Sequence, residues 1–162
     1  MIDLQKVCYA YEHEVALRYI DLHIEKGDSL VIQGPNGCGK STIIKIISGV
    51  YQRDGGTIEF GGKKLEKISP IDAINMGIQV IYQDFALFPN LTVAENLALN
   101  TELASGKKTV RWKEVRKIAQ EAVAKINFEV DLDQKVQELT VSQKQMVAIS
   151  RALMSNARLI IM

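Results

Sequence analysis

The sequence predicts an α/β fold, and three observations carry that expectation. Strands and helices alternate at both ends of the chain, the middle third is mostly helical, and a glycine-rich loop joins an apolar strand to a helix. At 162 residues the chain is long enough for one sizeable core. Hydrophobic residues make up 47% and charged residues 24%, the balance of a folded globular chain and not of a disordered one. Twenty Lys+Arg against nineteen Asp+Glu leave +1, so no global basic field draws in nucleic acid and any polyanion needs a local site. No apolar run approaches the roughly 18 residues of a membrane span. The opening Met1-Ile2-Asp3-Leu4-Gln5-Lys6 lacks the apolar stretch of a signal peptide. Two cysteines, Cys8 and Cys38, are too few for a disulfide scaffold or a metal cage and fit a reducing compartment.

Ile2 to Val7 reads as a short strand, and Ile20-Asp21-Leu22-His23-Ile24 alternates apolar and polar as a half-buried strand does. Lys26-Gly27-Asp28 turns the chain into Ser29-Leu30-Val31-Ile32-Gln33, a mostly apolar segment expected to be a buried strand. Ile43, Ile44, Ile46 and Ile47 place a buried helix over 41–48, with Gly49 as its C-terminal cap. Asp54-Gly55-Gly56 is a turn, Thr57 to Phe60 a strand and Gly61-Gly62 a second turn. Ser69-Pro70 supplies an N-cap and a proline at the first helical position, opening a helix to Asn75 that Gly77 ends.

Ile78 to Tyr82 is a strand and Gln83 to Pro89 a loop. Thr92-x-x-Glu95 is a capping box for a short helix over Val93 to Leu99, and Thr101 to Lys108 is a polar loop. Trp112, Val115, Ile118, Ala119, Ala122, Val123 and Ile126 recur at helical spacing and mark one amphipathic helix. Beyond a connector, Ser142 to Met154 is a further helix and Leu159 to Met162 an apolar strand. The expected organisation is a core over approximately 1–89, a helical insertion over 90–150 and a return to the core over 151–162.

The sharpest motif is Gly34-Pro35-Asn36-Gly37-Cys38-Gly39-Lys40-Ser41-Thr42, which satisfies G-x-x-x-x-G-K-[ST] between an apolar segment and a helix. Glycines let the backbone curl until successive N–H groups point inward. With the positive end of the helix they form a nest for β- and γ-phosphate oxygens. Lys40 adds a point charge, and Ser41 offers a hydroxyl to Mg²⁺, which keeps most of its other ligands as water, phosphate and a carboxylate. Charge-assisted bonds are worth about 1.5–3 kcal/mol each, so several hold a nucleotide without any overall basic charge. Cys38 reads as a small loop residue. Bound ATP is expected to protect it from thiol reagents.

Beyond this loop the residues resemble the ATP-binding subunit of ABC transporters, along essentially the whole chain. The resemblance implies a P-loop NTPase fold, an ABC-type ATPase core with an antiparallel β subdomain and a helical subdomain. It assigns Tyr11, with Tyr9 as the competitor, to stacking on adenine. It makes Gln83 the glutamine that ligates Mg²⁺ and orients the attacking water. The apolar run Phe85-Ala86-Leu87-Phe88-Pro89 then belongs to a loop that touches the permease.

Leu139-Thr140-Val141-Ser142-Gln143-Lys144-Gln145-Met146 is similar to the signature motif, with Thr140 in place of serine and Val141 and Ser142 in place of glycines. In the family this helix N-terminus faces the ATP of the other subunit in a head-to-tail dimer, where Thr140, Ser142 and Gln143 would meet the γ-phosphate. Ala73-Ile74-Asn75-Met76-Gly77-Ile78 and Asn90-Leu91-Thr92-Val93-Ala94-Glu95-Asn96-Leu97 resemble the monosaccharide-importer branch, which tolerates a glycine-poor signature. The implied protein is peripheral, on the cytoplasmic face of the membrane.

The family's Asp-Glu pair, D-loop and switch histidine would fall after Met162, and His13 and His23 lie too far upstream to replace the histidine. The chain is therefore expected to be a truncated cassette from a longer protein, weak in nucleotide binding and inactive in hydrolysis by itself. Three other classes compete. A non-transport ABC-type ATPase of the repair kind would place a long coiled coil between Gln83 and Leu139, where only a short helical stretch stands. A GTP switch or a small-molecule kinase on a P-loop core is the second, and the Asn-Lys-x-Asp that reads guanine is absent. A binding-only fragment without hydrolysis is the last.

Overall fold

Ile2–Tyr11 (β1) and Glu14–Ile24 (β2) form an antiparallel pair with Ile2 opposite Ile24 and Tyr11 opposite Glu14. They belong to a computed structural model that describes residues 1–12, 14–81, 85–105 and 111–162, with backbone alone for 100–105. The chain divides into two compact units, Met1–Met76 and Gly77–Met162.

In the first unit, Gly55–Phe60 (β3) pairs with β1 and Lys63–Leu65 (β4) with β3, giving an antiparallel sheet in the order β2-β1-β3-β4. Ile2 and Leu4 are buried by simple alternation, which would next send Lys6 inward. A bulge prevents this. Lys6 takes φ 49°, its N–H donates to Asp21 Oδ1 at 2.7 Å, and Val7 is buried in its place. Opposite, Gly56 has φ +82°, and a Cβ there would strike the Gln5 and Lys6 carbonyls, so the bulge requires glycine. Both strands run further than Ile2–Val7 and Ile20–Ile24, because bulges reset the alternation that marks strand length in sequence.

Lys40–Ile47 (α1) buries Thr42, Ile43, Ile46 and Ile47, and Gly49 follows its cap at φ +77°. Pro70–Asn75 (α2) starts as expected, with Ser69 and Asp72 forming a reciprocal capping box. The expected strand over Ser29–Gln33 is not formed. The segment pairs with no described strand, and Leu30, Val31 and Ile32 are 50%, 74% and 46% exposed. An apolar, β-branched run supplies strand propensity, but a ladder needs a neighbouring strand to accept it.

In the second unit, Ile78–Val80 (β5) and Leu159–Ile161 (β6) pair in parallel. Val93–Ser105 (α3), Trp112–Ala124 (α4) and Val141–Met154 (α5) enclose an apolar core that includes Val93, Leu97, Val115, Ala119, Val136 and Val147. Thr92 and Glu95 form the expected capping box, and the connector finishes the helix start: Val93 and Ala94 donate to the carbonyls of Gln134 and Leu132.

The polar loop expected from Thr101 is helical to Ser105; 106–108 lie outside the described residues. Trp112 shares the helical spacing of the buried face but stands at the first residue of α4 and is 65% exposed.

Candidate functional site

The phosphate motif adopts the curl its glycines permit. Gly37 and Gly39 have φ +83° and +94°, and Cys38 N–H donates to Pro35 O at 3.4 Å. A Cβ on Gly39 would lie 2.7 Å from Leu17 Cδ2 and 2.8 Å from Ala16 O, so the loop is pressed against β2 where only glycine fits. Lys40 turns back over the loop. Its Nζ donates to Gly34 O at 2.6 Å and Pro35 O at 2.8 Å, and lies 3.4 Å from Cys38 Sγ. The ammonium is thus held at the mouth of the ring formed by residues 34–40.

Ser41 is exposed on the first turn of α1, a turn with no acidic residue, so nothing in it opposes an anion at the helix's positive end. Among the described residues no three His, Cys, Asp or Glu side chains converge. Among the described residues Ser41 is the side chain placed to meet a magnesium ion here, beside phosphate oxygens, the kind of ligand this hard cation prefers. The donor set therefore fits a magnesium nucleotide.

At the end of β1 three tyrosines meet. Tyr9 and Tyr51 stack with centroids 5.3 Å apart and planes 4° apart, and Tyr11 meets both edge-on at 5.0 and 5.7 Å. Tyr11 also hydrogen-bonds Thr42 Oγ1 through its hydroxyl at 3.1 Å, tying it to the phosphate helix. Lys45 Nζ sits 4.9 Å over the Tyr51 ring and donates to its hydroxyl at 3.3 Å. That bond lowers the Tyr51 phenol's pKa, while burial raises that of Tyr9. An open cavity of about 600 Å³ lies beside the cluster, lined by Tyr9, Ala10, Tyr11, Glu12 and Glu14. Tyr51 was not legible as a partner of Tyr11, since the two are forty residues apart and no local pattern joins them.

In the second unit Gln83 lies outside the described residues. Phe85 and Ala86 have φ 56° and 44°, and Phe88 is 51% exposed. The buried Asn96 side chain binds both backbone groups of Phe88, accepting from its N–H at 2.8 Å and donating to its carbonyl at 3.0 Å. A polar residue inside the apolar stripe Val93-Leu97 was the available signal for Asn96. The signature segment begins α5: Thr140 is the N-cap, its hydroxyl accepts from Gln143 N–H at 3.3 Å, and the Gln143 side chain returns to Thr140 N–H at 2.9 Å. Ser142 is exposed on the first turn of the same helix.

A family model described as ABC transporter matches residues 17–162. The chain belongs to the ABC transporter family. Its fold is the ABC ATPase P-loop fold. The ATP-binding cassette MJ1267 of an ABC transporter superposes with a TM-score of 0.85 at 28% identity, over 99% of this chain and 67% of that one. The dimeric cassette MJ0796, bound to ADP and Pi in a post-hydrolysis state, gives 0.76 at 30% identity, over 99% and 72%.

Among curated relatives, the ribose import ATP-binding protein RbsA of Bacillus cereus is 38% identical over 162 residues, 99% of this chain and 33% of that protein. RbsA 2 of Escherichia coli O157:H7 is 36% identical over 100% of this chain and 32% of that protein. The chain spans about a third of the length of the curated relatives it matches. Among the described residues no helix is long and apolar enough to cross a membrane.

Proposed function

We propose that the chain binds magnesium ATP as part of an ABC importer, and that in the full-length protein hydrolysis of that ATP powers uptake of a monosaccharide. The observation that carries the reading is the loop of residues 34–40 curled around Lys40 at the N-terminus of α1. Lys40 exchanges two backbone carbonyls for β- and γ-phosphate oxygens, and the N–H groups of residues 36–42 hold the rest of the tail. Ser41 presents its hydroxyl to magnesium, which neutralises charge on the phosphates when bound. Glu12 and Glu14 beside Tyr11 repel phosphate and suit ribose hydroxyls and base amines, so base and sugar lie on the tyrosine side.

The finer assignments belong to the same proposal. Gln83 orients the attacking water, and the Phe85–Pro89 loop meets a permease. Thr140, Ser142 and Gln143 face the ATP of a second cassette. The protein works at the cytoplasmic membrane face. The similarity to RbsA proteins supports the importer branch.

Tyr11 gives a direct test by calorimetry. A ring on a base contributes about 1–1.5 kcal/mol, close to a tenfold change in affinity. Tyr11→Ala is expected to weaken ATP binding about tenfold by that measure and to leave inorganic triphosphate unaffected. Tyr11→Phe keeps the ring, loses the Thr42 bond, and is expected to stay close to the unmodified chain. An equal loss for ATP and triphosphate in Tyr11→Ala would show that the residue acts on the phosphate loop and not on the base.

A further inference from the structure

Arg151 is a half-buried guanidinium that the proposed chemistry does not use. It projects from α5 into a cavity of about 250 Å³ lined by Phe85, Phe88, Ala148 and Ala152, among others. Its Nη1 donates to Ala86 O at 2.9 Å and its Nη2 to Phe85 O at 3.1 Å. Two consecutive carbonyls are thus gripped by one planar fork, a geometry an ammonium does not reproduce. The two residues it grips are consecutive and left-handed, at φ 56° and 44°, a conformation that residues with a Cβ adopt only when the surroundings impose it. Desolvation lowers the pKa of this guanidinium, and the carbonyl contacts compensate its burial. At the loop's other end Asn96 binds Phe88. The exposed Phe88 therefore stands on a loop fastened to two helices.

We propose that Arg151 is a positioning residue that ties the Phe85–Pro89 loop to α5, so that the helix capped by Thr140 and the loop presenting Phe88 move as one body. Arg151 lies eleven positions beyond the Thr140 cap, about 16 Å along α5. A displacement at the signature end is therefore carried to the carbonyls of Phe85 and Ala86. The tie itself rests on the hydrogen bonds. Its consequence, transfer of a nucleotide-driven movement to a permease, rests on the proposed function.

Hydrogen exchange measured by mass spectrometry on the intact chain tests the tie. Arg151→Met removes both donors at similar volume, and Arg151→Lys keeps the charge without the fork. Exchange in the peptide 85–92 is expected to speed at least tenfold in Arg151→Met and by a smaller factor in Arg151→Lys, with α4 unchanged. Loop exchange within twofold of the unmodified chain would overturn the proposal. Should Arg151→Met fail to fold, Arg151→Lys decides by the same criterion.

In the assembled transporter, either variant is expected to keep its ATP affinity within twofold while substrate moved per ATP hydrolysed falls at least fivefold. An unchanged ratio alongside a loosened loop would overturn the coupling. An unmodified chain that binds no ATP would sink the functional reading instead, and the exchange result would still decide the tie.

Discussion

Replacing Lys40 with alanine is expected to weaken magnesium ATP binding by two to four orders of magnitude. The ammonium already sits within hydrogen-bond distance of Gly34 O and Pro35 O, at the mouth of the curled loop. Moving onto phosphate oxygens replaces two neutral acceptors by charged ones. Two charge-assisted bonds at about 1.5–3 kcal/mol each give roughly 3–6 kcal/mol, hence the expected range. Lys40→Arg is expected to lose most of the affinity too, because a planar fork does not fit a ring sized for a point charge. Without nucleotide the variants should melt close to the unmodified chain, since the contacts Lys40 makes are solvent-exposed. Calorimetric titration checks both halves, and an affinity for ATP unchanged in Lys40→Ala would contradict the reading.

The second large effect concerns stability. Asn96→Ala is expected to cost about 3 kcal/mol or more, read from the urea midpoint, out of the roughly 5–15 kcal/mol typical of a domain. The Asn96 side chain is fully buried, accepts from Phe88 N–H at 2.8 Å, and donates to Phe88 O and Thr92 O, each at 3.0 Å. Truncation strands Phe88 N–H, at about 1–3 kcal/mol for a group left unpaired in the interior, and removes two further bonds to carbonyls that keep their backbone donors, Leu91 N–H on Phe88 O and the residue-96 N–H on Thr92 O. Asn96→Asp should be no better, since a carboxylate there would face carbonyl oxygens. A loss below about 1 kcal/mol would mean that water replaces the amide at little cost.

These two residues also show what the sequence makes legible. Lys40 is legible in the sequence, because its motif is nine consecutive residues whose geometry is set by their own glycines and the helix they open. The caps at Ser69 and Thr92 were equally plain, being local exchanges over three residues. Asn96 and Arg151 were not, because each acts on backbone groups rather than on a side chain that a motif would name. Arg151 reaches carbonyls 65 and 66 residues away in sequence.

Strand boundaries failed for a related reason. Bulges at Lys6 and beyond extended β1 past Val7, and Ser29–Gln33 had the composition of a strand without a described neighbour to pair with. Propensity is local, whereas ladders and buried polar contacts depend on what folding brings from elsewhere. The signature segment lies between these cases. The spacing places its helix at Ser142, whereas the helix starts at Val141 behind a Thr140–Gln143 capping box that engages the Thr140 hydroxyl.

The central claim is that the backbone between residues 34 and 42 wraps a polyphosphate. Amide resonances followed by NMR during titration with magnesium ATP test it most directly. The account predicts that the amides of residues 36–42 shift together and saturably, with Gly37 and Gly39 among the largest movers and α4 silent. Shifts confined to other segments, with these loop amides unmoved at saturation, would contradict it.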